Sequence, residues 1–230
     1  MIWVEHVWPR SDHWKTAKRL IEQNHYLHRF PDPRTSCELY TFGTGNVNMG
    51  YLVFGRPEAT RCADWYGGVD DVRAGRCEVT RWQVLNLARV WIHPDFQRDG
   101  LVCFDGAVPG YTDRRGVWRS TLASEALRAA CAKIGTDYLV RRPPCFLDEP
   151  YQIRWLLSYC DTRLHRGTIY AAAGFEQYRV NSAGIETWRI ELPALTRAQD
   201  ALVRESAEVN QRSIRYRAQR AQLVMPVVGI

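Results

Sequence analysis

The sequence predicts an α/β fold built on a central mixed β-sheet flanked by helices. Three observations predict it. Along the 230 residues the signals run strand, helix, hairpin, long strand, helix, strand, short helix, strand pair. The run IRWLLSYC (153–160) is apolar through its centre, as expected of a strand buried on both faces. ELYTFGTGNVNMGYLVFG has two strand-like runs around Gly43-Thr44-Gly45-Asn46, the mark of an antiparallel hairpin.

The elements are taken in chain order. IWVEHVW, from Ile2, is rich in β-branched and aromatic residues and reads as a first strand. Ser11 or Asp12 can cap a helix running to about Asn24, with Trp14, Ala17, Leu20 and Ile21 on one apolar face. The hairpin comes next, then a polar, glycine-bearing loop over 57–77. A long strand signal covers about 79–93, VTRWQVLNLARVWIH, and stops at Pro94. Residues 98–116 are glycine-rich without a clear period and read as an inserted loop. VWRSTLASEALRAACAKI (117–134) is the strongest helix signal, with Leu122, Ala126, Ala129, Ala130 and Ile134 in one stripe and Gly135 at its end. RRPPCFLDEP breaks structure before the apolar strand. A short helix near 167–173 comes after that strand, and 175–191 reads as a last hairpin turning at Asn181–Gly184. The division expected is a domain over 1–192 with a basic helical tail over 193–230, where QRSIRYRAQR (211–220) holds four arginines and no acid.

Composition narrows the function classes. Charged residues (24%) and apolar ones (46%) are in the proportions of a folded soluble chain. No apolar run approaches the ~20 residues of a membrane helix, and the N-terminus lacks a secretion signal, which points to the cytoplasm. Seven cysteines without a CxxC pair argue against a disulfide framework or a zinc ribbon and for small buried hydrophobes. Net charge is +6, and all but three of the 31 cations are arginine. Arginine suits bidentate contacts to phosphate and stacking on bases, and permits a nucleic-acid partner.

The order of elements and one short motif resemble the GNAT acyltransferase fold. Tyr170-Ala171-Ala172-Ala173-Gly174-Phe175 is similar to that superfamily's late Y-x-x-x-G-F motif, whose tyrosine often serves as a general acid toward the leaving thiol. WIHPDFQRDGLV is similar in part to the segment that binds the cofactor's pyrophosphate, with Gln97 and Gly100 at the right spacing and Val102 where a small residue is wanted. DRRGVW, before the main helix, is a second partial match. The resemblance implies acetyl-CoA or another small activated donor.

A narrower resemblance covers about residues 20–180. NHYLHR, LARVWI and LLSYCDTRLHRGTIYAAAGF, in that order, resemble the phage Mom DNA-modification family. Ser158-Tyr159-Cys160-Asp161 matches its S-Y-A-D strand end with Cys160 for alanine, and Gly167-Thr168-Ile169-Tyr170 matches its helix start. The resemblance implies an enzyme of the host cytoplasm that places a carbamoylmethyl-like group on the exocyclic amine of adenine in double-stranded phage DNA, protecting it from restriction. A small-molecule donor is implied as well, and an iron requirement has been proposed for the family. Two other readings stay open: a GNAT N-acyltransferase acting on a free amine or an aminated nucleobase, and a non-catalytic DNA-binding anti-restriction protein.

The candidate residues come from chemistry and resemblance together. His25, Tyr26, Asp161 and Tyr170 are the catalytic candidates: a base or metal ligand, its neighbour, a carboxylate at the end of a buried strand, and a proton donor. The alternative for Asp161 is to cap the turn into the next helix, and for Tyr170 to pack beside Phe175. Arg29, Arg34, Arg163 and Arg166 flank these motifs and could hold phosphates. Ser158 belongs to the strand motif, and Arg89, inside an apolar strand, needs a partner or a ligand. His25 and His28 could share a metal, with Asp161 completing a 2-His-1-carboxylate iron site. Chemistry on a base requires taking it out of the helix, and the nine Trp and eleven Tyr offer flat surfaces for it.

Overall fold

The structure is a computed structural model that describes residues 2–25, 29–31, 38–57, 83–97, 109–116, 118–141 and 153–194, with scattered helical positions to 208. The expected architecture is the one observed: a seven-stranded mixed sheet with helices on both faces. The strands are β1 (Trp3–Val7), β2 (Glu38–Thr44), β3 (Val47–Gly55), β4 (Val84–Ile92), β7 (Trp155–Asp161), β8 (Glu176–Val180) and β9 (Ile185–Glu191). Between β4 and β7 lie a small hairpin, β5 (Gly110–Thr112) and β6 (Trp118–Ser120), and a long helix. The helices are α1 (Asp12–Asn24), α2 (Leu122–Arg141) and α3 (Thr168–Ala173). The sheet order is β1-β2-β3-β4-β7-β9-β8, antiparallel throughout except for the β4–β7 pair. Among the described residues no helix is long and apolar enough to cross a membrane.

Strand alternation divides the core into two layers. Tyr40, Phe42, Leu52, Phe54, Leu85 and Leu87 face α2, which contributes Leu122, Ala126, Leu127, Ala130 and Ile134. Leu39, Tyr51, Val53 and Trp91 face α1, which contributes Trp14, Ala17 and Ile21. Ser11 caps α1 by accepting the Trp14 N–H (3.1 Å). Cys131 and Cys160 are buried thiols of the α2 layer, and burial pushes the Cys131 thiol up to about 12. The other five cysteines lie outside the described residues.

Two expectations need correction. The main helix starts at Leu122, not at 117, because Trp118–Ser120 pair with Gly110–Thr112. Thr121, whose hydroxyl meets the Glu125 carboxylate (2.7 Å), opens the helix instead. The same pairing makes the end of the expected inserted loop a strand; residues 98–108 lie outside the described residues. The helix also runs through Gly135 to Arg141. Gly135 is buried within the helix, where an added Cβ would stand 3.9 Å from Ile153 and from Leu192.

Two details of β4 position the site. First, Phe54 pairs with Leu87 and Val53 with Arg89, so Ala88 is an extra residue, a β-bulge. Second, β4 and β7 pair only from Val84–Trp155 to Leu87–Ser158. Beyond that point β4 stays with β3 to Ile92, while β7 stays with β9 to Asp161. The two parallel strands part, leaving a wedge.

Candidate active site in the strand wedge

A cleft of about 490 Å³ fills this wedge, an ordinary size for a small-molecule site. Its β4 wall is Leu87, Ala88, Val90 and Ile92, continued by Phe96 and Gln97. The His93 N–H bonds the Met49 carbonyl (2.9 Å). Antiparallel alternation then turns the peptide groups of Val90 and Ile92 toward the wedge. Gln97 closes one of these positions by donating its side-chain N–H to the Ile92 carbonyl. The far wall comes from β7, the turn after it and α3: Tyr159, His165, Arg166, Gly167, Thr168, Ile169 and Tyr170. The entrance to α2 adds Arg119, Ser120 and Ala123, and the end of α1 adds His25.

Each wall has a local cause. Gly167 lies at φ +66 and ψ 5, a left-handed conformation that suits glycine. A Cβ there would lie 2.5 Å from the Trp188 ring, so the absent side chain lets α3 settle on the indole. Tyr170 packs its ring against Phe175 and Trp188, both centroids at 5.9 Å, while still facing the cleft. Arg128 of α2 donates to the Ala172 carbonyl (2.9 Å), which fixes α3 against α2. His25 ends α1, with its backbone N–H on the Ile21 carbonyl (2.9 Å), and is buried. Asp113 holds the β5–β6 turn by accepting from the Arg115 N–H (2.9 Å) and the Arg119 guanidinium (3.1 Å).

The cleft gathers four of the residues expected from sequence: His25, Gln97, Arg166 and Tyr170. It does not gather the others that are described. Ser158 is buried and donates to the Leu87 carbonyl (3.3 Å), at the last rung before the strands part. Tyr159, its neighbour on the opposite side of β7, is the one that lines the cleft. Arg89 lies on the α1 side of the sheet, where its guanidinium reaches the Arg29 carbonyl (3.3 Å). Asp161 is held by Arg163 through two side-chain contacts (2.9 and 2.6 Å) and accepts the Arg163 backbone N–H (3.0 Å). This clamp holds the Asp161 carboxyl at about 2, below the usual carboxylate range. Asp161 and Arg163 thus close the turn after β7, the capping alternative read from the sequence. Tyr26, His28, Arg34, Gly100 and the 211–220 arginine run lie outside the described residues.

Among the described residues the lining contains His25, His165, Arg119 and Arg166 and no carboxylate, a composition that suits an anion. Among those residues, too, no three His, Cys, Asp or Glu come together to hold a metal, so the iron option finds no support there. Sequence reasoning misses Arg119, His165 and Trp188 as parts of the site. Arg119 has a signal, since it adjoins DRRGVW, the second partial phosphate-loop match. Trp188 has none, because its place opposite Ser158 depends on β7–β9 register.

No family model matches the chain, and no curated protein matches it. Solved structures do. The ribosomal-protein-S18-alanine N-acetyltransferase from Escherichia coli is 11% identical over 86% of this chain and 97% of that one, with a TM-score of 0.39. A Bacillus subtilis acetyltransferase in complex with CoA is 12% identical over 85% and 100%, with a TM-score of 0.41. The AHL synthase LasI is 12% identical over 86% and 93%, with a TM-score of 0.42.

Proposed function

We propose that the protein is a transferase that moves a small group from an anionic, phosphorylated donor onto an amine, with the reaction centred in the β4–β7 wedge. The observation that carries this reading is the lining itself: two arginines, two histidines and two tyrosines around parted strands, without a carboxylate among the described residues. The residues present fit a phosphorylated thioester such as acetyl-CoA. Arg119, Ser120 and the first turn of α2 would hold its phosphates, and the wedge-facing peptide groups of Val90 and Ile92 would align its chain. Such a donor supplies an activated group and a good leaving atom.

The chain's own residues supply positioning and proton transfer. His25 takes the proton that the amine loses as its nitrogen bonds to the transferred group. The Tyr170 hydroxyl gives a proton to the departing atom. The buried position of His25 and the stacking of Tyr170 fix both groups before substrate arrives. Asp161 holds the wall of the cleft and takes no proton.

The finer reading is that the amine is the exocyclic amine of adenine in double-stranded DNA. It rests on the ordered motifs of the Mom family and on the basic rim at Arg163 and Arg166. Mass spectrometry of nucleosides from plasmid DNA, isolated from cells making the protein, tests it. A new adenosine species that disappears with Tyr170→Phe and with His25→Ala supports adenine modification. An unchanged profile, together with thiol release from acetyl-CoA and a small amine by the purified protein, replaces it with a free-amine acyltransferase. An unchanged profile without thiol release, but with tight DNA binding, leaves a binding protein and overturns the transferase.

A further inference from the structure

Between β7 and α3 the chain makes a tight turn whose tip is apolar. Leu164 is 57% exposed, while its neighbours Thr162, Arg163, His165 and Arg166 are polar. A single exposed leucine has no meaning by itself. Two facts set this one apart. The turn is held rigid from several sides: the Leu164 and His165 N–H groups both bond the Asp161 carbonyl (3.0 and 2.9 Å). Thr162 donates its N–H and its hydroxyl to the Gly184 carbonyl (3.1 and 2.8 Å), tying the turn to the β8–β9 hairpin. The Cys160 thiol donates to the His165 carbonyl (3.6 Å). The second fact is location. The next residues, His165 and Arg166, line the cleft, and the Arg163 side chain is 73% exposed on the other flank. A fixed apolar tip therefore adjoins the cleft-lining His165 and Arg166 in the chain, with the exposed Arg163, paired to Asp161, on its other side.

We infer that Leu164 is a wedge that enters the base stack of duplex DNA and fills the space left when the target base swings into the β4–β7 cleft. This rests on the DNA reading above and goes beyond it by naming how the base is reached. Apolar side chains between flanking cations are what unstacking a duplex requires: the cations hold the phosphates and the wedge replaces lost stacking. A floppy tip would lose ordering entropy on insertion; a clamped one does not. Asp161 gains its role here as a positioning residue. Its carboxylate closes the turn that aims Leu164. The tip also explains the geometry beside it, since an extruded base arriving past Arg166 meets Tyr159 and Tyr170 on the same wall.

Permanganate reactivity tests this without knowledge of the donor or the recognition sequence, because a thymine left opposite an extruded adenine loses its stacking and oxidises faster. The probe is a linear duplex of several hundred base pairs, with DNA affinity measured in parallel by fluorescence anisotropy. The full-length protein is expected to create reactive thymines. Leu164→Ala is expected to lower their reactivity per bound protein at least about fivefold. Leu164→Phe, a second apolar wedge, is expected to restore it. Equal reactivity in Leu164→Ala and wild type overturns the wedge and leaves the DNA reading standing. DNA binding by wild type without any reactive thymine overturns base extrusion. Failure of wild type to bind DNA overturns both.

Discussion

The first half of the β4–β7 junction and its second half are made by the same two strands and behave as different materials. From Val84–Trp155 to Leu87–Ser158 the pair is zipped, with Leu85, Leu156 and Leu157 at 0–1% exposure and Ser158 bonded across to Leu87. From Ala88 and Tyr159 onward the strands part, and the same backbone lines a cleft with cationic and aromatic neighbours. No change of residue class marks the boundary. One extra residue does: Ala88 lets β4 stay with β3 while β7 stays with β9. The packed ladder and the candidate site are thus separated by about one rung. Substitutions on either side should separate in what they damage.

The largest effect belongs to the open half. Tyr170→Phe removes only a hydroxyl from a ring that keeps its contacts with Phe175 and Trp188. Product formation is expected to fall about 10²- to 10⁴-fold, as for loss of a general acid, with the thermal midpoint unchanged within error. If both fall together, the hydroxyl is structural and the two halves are less distinct than their pairing suggests. The converse experiment is Leu156→Ala in the zipped half. Its fully buried side chain predicts a loss of about 2–5 kcal/mol, read from the denaturant midpoint. The fraction that remains folded should turn over normally.

Gly167→Ala tests the border between the two. The left-handed backbone costs about 1–2 kcal/mol for a side chain, and the new methyl would meet the Trp188 ring, 2.5 Å from where its carbon would stand. Both stability and rate should drop, since Tyr170 lies one helical turn on. A rate unaffected by this change would mean that Tyr170 does not depend on how α3 begins. The smallest effect is expected from Asp161→Asn. The amide oxygen can still accept the Arg163 N–H, so activity should stay within about fivefold of wild type. Were Asp161 the general base, the same change would abolish turnover. The acid titration gives the sign independently. The Asp161 carboxyl titrates lower in the folded chain than in the unfolded one, so its clamp is complete above about pH 4. It is lost as pH falls through about 2, a midpoint that carboxyl-carbon NMR should report.

Legibility in the sequence tracks the range of the interactions. The β2–β3 hairpin and α1 are readable because their signals are local: the Gly43–Asn46 turn, and Ser11 with an apolar stripe of period 3.6. The start of α2 is misread because Trp118–Ser120 look helical next to Leu122 and are claimed by β5, across a turn held by Asp113. His25 and Tyr170 are readable as candidate positions, and the cleft brings them to one lining. Asp161 and Ser158 illustrate the limit. Their residue types suit catalysis, but their partners, Arg163 and the Leu87 carbonyl, are settled by the turn and by strand pairing. Trp188 reaches the site only through its pairing with Ser158 on β7, whereas Arg119 is placed by the local β5–β6 hairpin.

The Ala88 bulge also sets the parity of the chain. On one side of it, odd positions of β4, Leu85 and Leu87, face α2; on the other, even positions, Val90 and Ile92, do so, and Arg89 and Trp91 face α1. Deleting Ala88 itself would leave Leu87 followed by Arg89 in unbroken alternation, with Arg89 still toward α1 and Val90 toward α2. Deleting Val90 instead would use up the extra residue and carry Arg89 into the apolar α2 layer. A scan of one-residue deletions along this strand should therefore find Ala88 the best tolerated position.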